Sequence, residues 1–257
     1  MDLATLYPSE RPASIEPAEW SARLALAAAY RVFDLLGWTE LIYNHISLRV
    51  PDSPGHFLIN PFGLHYSEVC ASNLLKVDLQ GQIVGAANFP VNPAGVTPHA
   101  TLHRHVERAH CVMHTHTTAG MAVACSEEGL LFTSFYAAQL VDDVAYHEFE
   151  GITVHADESQ RLLASIGRRQ LVILRNHGLL AWGETLPATF YRLWALQRAC
   201  EIQIAGAALG PRREIPVDIQ RRCAEDSRRV NMRPGFGQDV FEAMVRLADR
   251  RDDSWRR

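Results

Sequence analysis

Four consecutive apolar residues, Leu171 to Leu174, are followed after a short gap by four more, Leu179 to Trp182. Runs of this length and purity read as strands buried on both faces. The gap holds Asn176-His177-Gly178, a turn that glycine makes tight. A single long helix is expected next, from Thr185 to Ala207. A chain with such a segment needs a layered core, with helices packed over a sheet.

The remainder of the sequence fits that frame. Residues 1–16 are polar and proline-bearing and predict a loose arm. Pro17 opens a helix at a favoured first-turn position, with Glu19 suited to the helix dipole. Trp20, Leu24, Ala27, Val32, Leu35 and Leu36 form its buried stripe, and Gly37 ends it. Strands are expected over 41–50 and 57–60, and a hairpin joins Lys76–Leu79 to Ile83 and Val84 through Gly81. Pro98–Arg108 reads as helix, His110–His116 as extended, Thr117–Ser126 as helix, Gly151–His155 as strand and Ser159–Ile166 as helix. From Gly210 to Gly237 arginine doublets alternate with acids and prolines, which predicts a surface excursion. Phe241, Met244, Val245 and Leu247 suit a short C-terminal helix. The expectation is one α/β layered domain over 17–208 with a mixed or mainly antiparallel sheet. An arm (1–16) and a C-terminal excursion (209–257) flank it.

Composition narrows the classes of function. The chain has 257 residues, 47% hydrophobic, so chain entropy can be offset by a sizeable core. A formal charge of −4 argues against a nucleic-acid surface. The longest apolar run, Leu24–Tyr30, is too short to span a bilayer, and no secretory signal opens the sequence. Five scattered cysteines without a C-x-x-C pair suit reduced thiols in the cytoplasm. The lone lysine, Lys76, lies in a strand-like Lys-Val-Asp-Leu, which is a poor setting for imine chemistry.

Histidine is the informative residue. Six of the 12 fall between His99 and His116. In Cys-Val-Met-His-Thr-His, alternate strand residues point to one face, so His114 and His116 can aim at one ion while Thr115 points away. The same spacing also serves two satisfied surface or core histidines, and a third ligand is needed to decide. His177, in the tight turn after the buried strand, is the natural candidate. Three imidazoles with one open coordination position describe a catalytic divalent metal acting as Lewis acid. Zn is the first expectation, with Mn, Fe, Co or Ni also suited to imidazole. His99 and His103 share a helix face but lack the His-Glu-x-x-His pattern, so they read as packing or supporting residues. His105 and His110 read as solvent-facing.

Six blocks occur in a recognisable order: Leu36–Ser47, Leu58–Val69, Lys76–Gly81, His110–Thr117, Val144–Gly151 and Leu174–Leu179. Over roughly 18–208 the chain resembles the class II aldolase and adducin family, closest in wording to the adducin head and its stand-alone bacterial relatives. The resemblance implies an αβα sandwich around a mainly antiparallel sheet. It also implies a homotetramer with sites between subunits, and a metal held by His114, His116 and His177. In the sugar-phosphate aldolases of the family, the metal stabilises an enediolate formed by carbon–carbon cleavage. The resemblance places Asn44, His45, Asn60, Gly63 and Gly95 around the substrate.

Two departures from the family pattern bear on function. The carboxylate that serves as acid/base in sugar-phosphate aldolases falls at Gly95, which has no proton to move. The phosphate cradle reads Asn44-His45 and Phe62-Gly63, with phenyl in place of a hydroxyl donor. A small substrate without phosphate is therefore expected, with a carboxylate met by Asn44 and His45. Tyr136 or Tyr146 would supply a proton; each also suits a buried ring with a satisfied hydroxyl. A metal-dependent lyase is the leading expectation, with decarboxylation least harmed by losing the carboxylate. A non-catalytic module like the adducin head, and a dehydratase or epimerase, are the alternatives. Up to Arg257 the chain shows no long helical neck or lysine-rich tail, which favours the enzyme.

Overall fold

The computed structural model describes residues 3–152 and 157–257. In chain order it contains α1 (Leu3–Leu6), α2 (Pro17–Leu36), β1 (His45–Arg49), β2 (His56–Ile59), β3 (Leu75–Asp78), α3 (Pro93–His105), β4 (Cys111–Thr115), α4 (Thr118–Ala124), α5 (Phe135–Ala138) and β5 (Val144–His147). Then follow α6 (Glu158–Ile166), β6 (Leu171–Leu174), β7 (Gly178–Gly183), α7 (Leu186–Gly206), α8 (Val217–Asn231) and α9 (Gln238–Arg251). The seven strands form one sheet in the order β3-β2-β1-β4-β7-β6-β5. All neighbours are antiparallel except β5 and β6, so the sheet is mixed, as expected.

The paired apolar runs become β6 and β7, adjacent in the sheet and buried along their whole length. Alternation sorts their side chains between two cores. Leu171, Ile173, Leu179 and Ala181 join the larger core beneath α2, α4, α7 and α9. Val172, Leu174, Leu180 and Trp182 face the opposite layer, where Leu102 of α3 and Leu162 and Ile166 of α6 cover them. Each fully buried aliphatic side chain contributes about 1.5–3 kcal/mol, so an eight-residue apolar hairpin covered on both sides anchors the domain. The result is the three-layered sandwich the sequence predicts.

Several local expectations are corrected. The strand expected from residue 41 starts at His45, because Glu40 and Leu41 take left-handed φ values of 43° and 58°. Helix α3 begins at Pro93, capped by the Asn92 side chain, and holds Pro98 inside it. Of the strand expected over 151–155, Gly151 and Ile152 form a bend, and residues 153–155 lie outside the described residues. Strand β5 goes unanticipated in a block recognised only by its wording. The arginine-rich excursion contains the 15-residue helix α8, whose charges lie on an amphipathic surface that buries Ala224. The arm is tethered: Leu3 is buried and Tyr7 packs edge-on against Trp255 at 5.3 Å. Trp255 is fully buried in its own chain, and its carbonyl accepts from the Ala71 N–H at 2.9 Å. Helix α9 packs on α2 and shares the main core. No helix among the described residues is long and apolar enough to cross a membrane, and all five cysteines are free.

The lone lysine has a structural role. Lys76 Nζ lies 2.8 Å from Glu19 Oε2, and Arg23 Nε donates to Glu19 Oε1 at 2.9 Å. Arg23 also donates to the Ala71 and Leu74 carbonyls, tying α2 to the approach to β3. Burial pushes the Glu19 carboxyl pKa upward, but hydrogen bonds from Lys76 and Arg23 outweigh this and hold it below the usual value. Glu19→Ala would strand two cations in a largely buried position and should lower stability by about 3 kcal/mol at neutral pH. A depressed carboxylate stabilises fully above its unfolded pKa and loses that contribution as pH falls through the folded one. The stability gap between wild type and variant in urea titrations should therefore shrink below about pH 4. A gap that stays constant down to strongly acidic pH would contradict this account.

Candidate metal centre

Strand register assembles the three histidines. On β4, Cys111 and Met113 face the main core, while Val112 and His114 face the α3/α6 layer. His114 pairs with Leu180, and Thr115 with Leu179, so β4 runs out beside the start of β7. His116, one residue past β4, thus meets His177, one residue before β7. The approach is close enough to require glycine at position 178. A Cβ there would lie 2.3 Å from the Thr115 carbonyl oxygen and 3.1 Å from the His116 ring. Asn176 turns the chain with a φ of 56°, and its N–H donates to the Ala124 carbonyl.

The three ring nitrogens converge. His114 Nε2 lies 2.7 Å from His116 Nε2 and 3.2 Å from His177 Nε2. Among the described residues these three side chains form a group whose ligand atoms all lie within 4.8 Å of one another. His114 Nδ1 is 2.9 Å from the Leu179 carbonyl, an acceptor only, so Nδ1 carries the proton and Nε2 presents a lone pair. Asn44 is fully buried behind the cluster. Its Oδ1 accepts from the His116 N–H at 2.9 Å, and its Nδ2 donates to the Trp38 carbonyl at 2.8 Å.

Electrostatics favour neutral rings. Burial, then repulsion from His177, His116 and His45, pushes the His114 pKa well below its ordinary value. Burial also lowers His116, against a small opposing pull from Glu40. His177 is pushed down to about 4 by burial, His116 and His147. Three neutral imidazoles with lone pairs aimed at one point are the donor set that suits a borderline-soft divalent cation. The set fits the metal that the sequence predicts.

The cluster opens into a cavity of about 530 Å³ lined on one side by His45, Tyr43 and Glu40 and on another by Phe149 and Arg175. His45 stacks on His114, with ring centroids 5.0 Å apart at 29°. Its edge packs against Gly95, where a Cβ would lie 2.5 Å from His45 Cδ2 and 2.7 Å from Nε2. The residues at 45 and 95 are thus coupled in space: the histidine ring at 45 occupies the room that a side chain at 95 would need.

Other expected residues are placed differently. Asn44 has both amide ends engaged by the backbone, so it holds His116 and is not free to bind a carboxylate. Asn60 is buried against Tyr30, whose hydroxyl bridges Ile46 and Asn60. Gly63 sits in an exposed turn with φ of 105°, and its neighbour Phe62 packs on Tyr43 at the cavity rim. The Tyr146 hydroxyl accepts from the Leu130 N–H at 2.9 Å, and Arg175 lies over its ring. Arg175 itself donates to the Ser126 carbonyl. Tyr136 packs edge-on against Trp194 at 5.2 Å. Neither tyrosine lines the cavity of its own chain. His99 and His103 are supporting residues, as the sequence suggests, but sequence reasoning missed Glu40 at the rim and the link through Ser47 that joins the two histidines to His45. Their signals were the i, i+2 spacing of His45 and Ser47 on a strand and the i, i+4 spacing of His99 and His103 on a helix.

Gly178→Ala tests the close approach. The added methyl overlaps backbone and should lower Tm by several degrees, about 2–3 kcal/mol for an overpacked site. Conserved Tm in a thermal melt would mean the β4–β7 contact is looser than described.

Comparison with known proteins agrees with this architecture. The profile of the family described as Class II Aldolase and Adducin N-terminal domain matches residues 24–204. The chain is 38% identical to an aldolase II superfamily protein from Pseudomonas syringae of known crystal structure. That match covers 95% of this chain and 98% of that one, with a TM-score of 0.91. It is 43% identical over 242 residues to alpha-adducin of Mus musculus, covering 88% of this chain and 33% of adducin. L-fuculose 1-phosphate aldolase from Glaciozyma antarctica shares the fold, with a TM-score of 0.83 at 23% identity over 99% of both chains. By profile, identity and coverage together, the chain belongs to the class II aldolase and adducin family.

Proposed function

We propose that this protein is a metal-dependent lyase that cleaves a carbon–carbon bond, by an aldol or decarboxylation route, in a small non-phosphorylated carbonyl or hydroxy-acid substrate. One observation carries the reading: the Nε2 atoms of His114, His116 and His177 converge at the wall of a cavity large enough for a small metabolite. A divalent cation held by His114, His116 and His177 supplies a Lewis acid for negative charge developing on a carbonyl or enol oxygen. Zn suits the donor set best, and Mn, Fe, Co or Ni also accept imidazole.

The chain's own residues set the rest. Leu179 and Asn44 fix the His114 ring and the His116 backbone, so the ligand set is held in place before anything binds. Gly95 offers no acid/base group, which favours decarboxylation over reactions that begin by taking a proton from carbon. Phe62, whose ring packs on Tyr43 of the cavity lining, stands in the sequence where the family resemblance places a hydroxyl donor to phosphate. Tyr136, outward of its own cavity, is proposed to serve a neighbouring subunit's site within a homotetramer, in keeping with the family resemblance. Dehydration and epimerisation use the same cation chemistry and stand behind cleavage because both need proton traffic at carbon.

The adducin likeness supports a second reading, a non-catalytic interaction module, since 43% identity spans most of this chain. Metal content separates the two. Purified protein should hold about one divalent cation per chain, and His116→Ala and His177→Ala should each reduce it at least tenfold with the circular dichroism spectrum unchanged. Full metal in both variants would refute the ligand set, and no uptake by the wild type on reconstitution would favour the interaction module. A sugar phosphate at millimolar concentration should leave Tm unchanged in a thermal-shift assay; clear protection would overturn the role given to Phe62.

A further inference from the structure

Behind the metal cluster runs a continuous line of buried polar side chains. His103 Nδ1 lies 2.8 Å from the Ala109 carbonyl, and His103 Nε2 lies 2.7 Å from Ser47 Oγ. Ser47 Oγ lies 2.6 Å from His99 Nδ1, and His99 Nε2 lies 2.9 Å from His45 Nδ1. The remaining nitrogen of His45, Nε2, has no hydrogen-bond partner among the described residues and sits on the ring edge by Gly95, at the cavity wall. All four side chains are buried, and among the described residues none of the three histidines is in an ion pair. The nearby guanidinium of Arg49, which donates to the His103 carbonyl, opposes charge on His103 further.

Hydrogen-bond chemistry allows a single arrangement of protons along this line when the rings are neutral. A carbonyl oxygen only accepts, so His103 Nδ1 bears the proton and His103 Nε2 accepts. The one hydroxyl proton of Ser47 is then spent on His103, so Ser47 Oγ accepts from His99 Nδ1–H. That leaves His99 Nε2 as an acceptor, which His45 must satisfy with Nδ1–H. His45 Nε2 is left bare. We propose that the Ala109 carbonyl, acting through His103, Ser47 and His99, locks His45 with its Nε2 lone pair facing the cavity, so that the site selects substrates bearing a hydroxyl donor beside the group held at the three-histidine cluster.

Burial supports neutrality along the line away from the cluster: it pushes His103 down to about 3 and holds His99 well below its ordinary value. The proposal reverses the expectation that His45 meets a carboxylate. A bare lone pair repels an anionic oxygen and attracts an O–H. His45 is thus a specificity-determining residue, and Ser47, His99 and His103 are positioning residues that act through it. The locked tautomer follows from the fold alone; the selection of a hydroxyl rests on the lyase reading above.

The two parts separate experimentally. Long-range proton–nitrogen correlation spectra of metal-free protein labelled with ¹⁵N-histidine report which ring nitrogens carry protons. The expected pattern is protonated Nδ1 at His103, His99 and His45 with unprotonated Nε2 at each. A protonated Nε2 on His45 in the wild type would overturn the lock, whatever the fate of the metal reading. Ser47→Ala, with the fold checked by circular dichroism, should release His45 into a mixture of both tautomers; an unchanged His45 would show that the relay does not set it. With the zinc-loaded protein, glycolate should bind about tenfold tighter than acetate, the upper range for one hydrogen bond, and should shift the His45 Nε2 signal where acetate does not. Equal binding of the two acids, no binding of either, or an unmoved His45 signal would overturn the hydroxyl selection while leaving the lock standing.

Discussion

The antiparallel pairing of β4 with β1 on one side and β7 on the other is the constraint on which the rest of the molecule depends. Strand geometry sends alternate residues to opposite faces. That alternation puts Met113 into the core with Ile46 and Ala181, and His114 onto the other face with His45 and Leu180. A slip of one residue in either pairing would bury His114 in the apolar core and turn Met113 to the cavity. The apolar content of β6 and β7 sets a strong energetic preference for the observed register. The site is thus specified by hydrophobic burial several residues away from it.

Burial has a second effect at the same face. It disfavours the charged form of the imidazoles, so most of their nitrogens pair with one another, with Ser47 and with backbone carbonyls. The Leu179 carbonyl orients His114, and the Ala109 carbonyl orients His103. Two main-chain oxygens, each able only to accept, thereby decide which nitrogens in the pocket are bare. Such control costs no charge and persists without any bound partner.

Positions 45 and 95 are tied to each other by packing. The His45 ring fills the space next to Gly95 to within 2.5 Å of a Cβ position. A side chain at 95 and an imidazole at 45 are mutually exclusive in this geometry.

Much of this was legible in the sequence, for local reasons. Periodicity located β4, β6, β7, α2 and α7, because apolar runs and helix stops act within a few residues. His114 and His116 could be paired from strand alternation alone. The tethering of the arm and the helix within the arginine-rich excursion were not read, because charge and proline content describe solvent exposure of a segment and not the packing that orders it. Asn44 read as a substrate residue, yet its partners Trp38 and the His116 backbone lie in a neighbouring loop and at the end of another strand. The sequence by itself determined the composition of the layers and the residue types available for a metal. Only the tertiary structure decided that His177 completes the cluster and that His45, Ser47, His99 and His103 form one line, because those meetings are set by strand register and helix docking across dozens of residues.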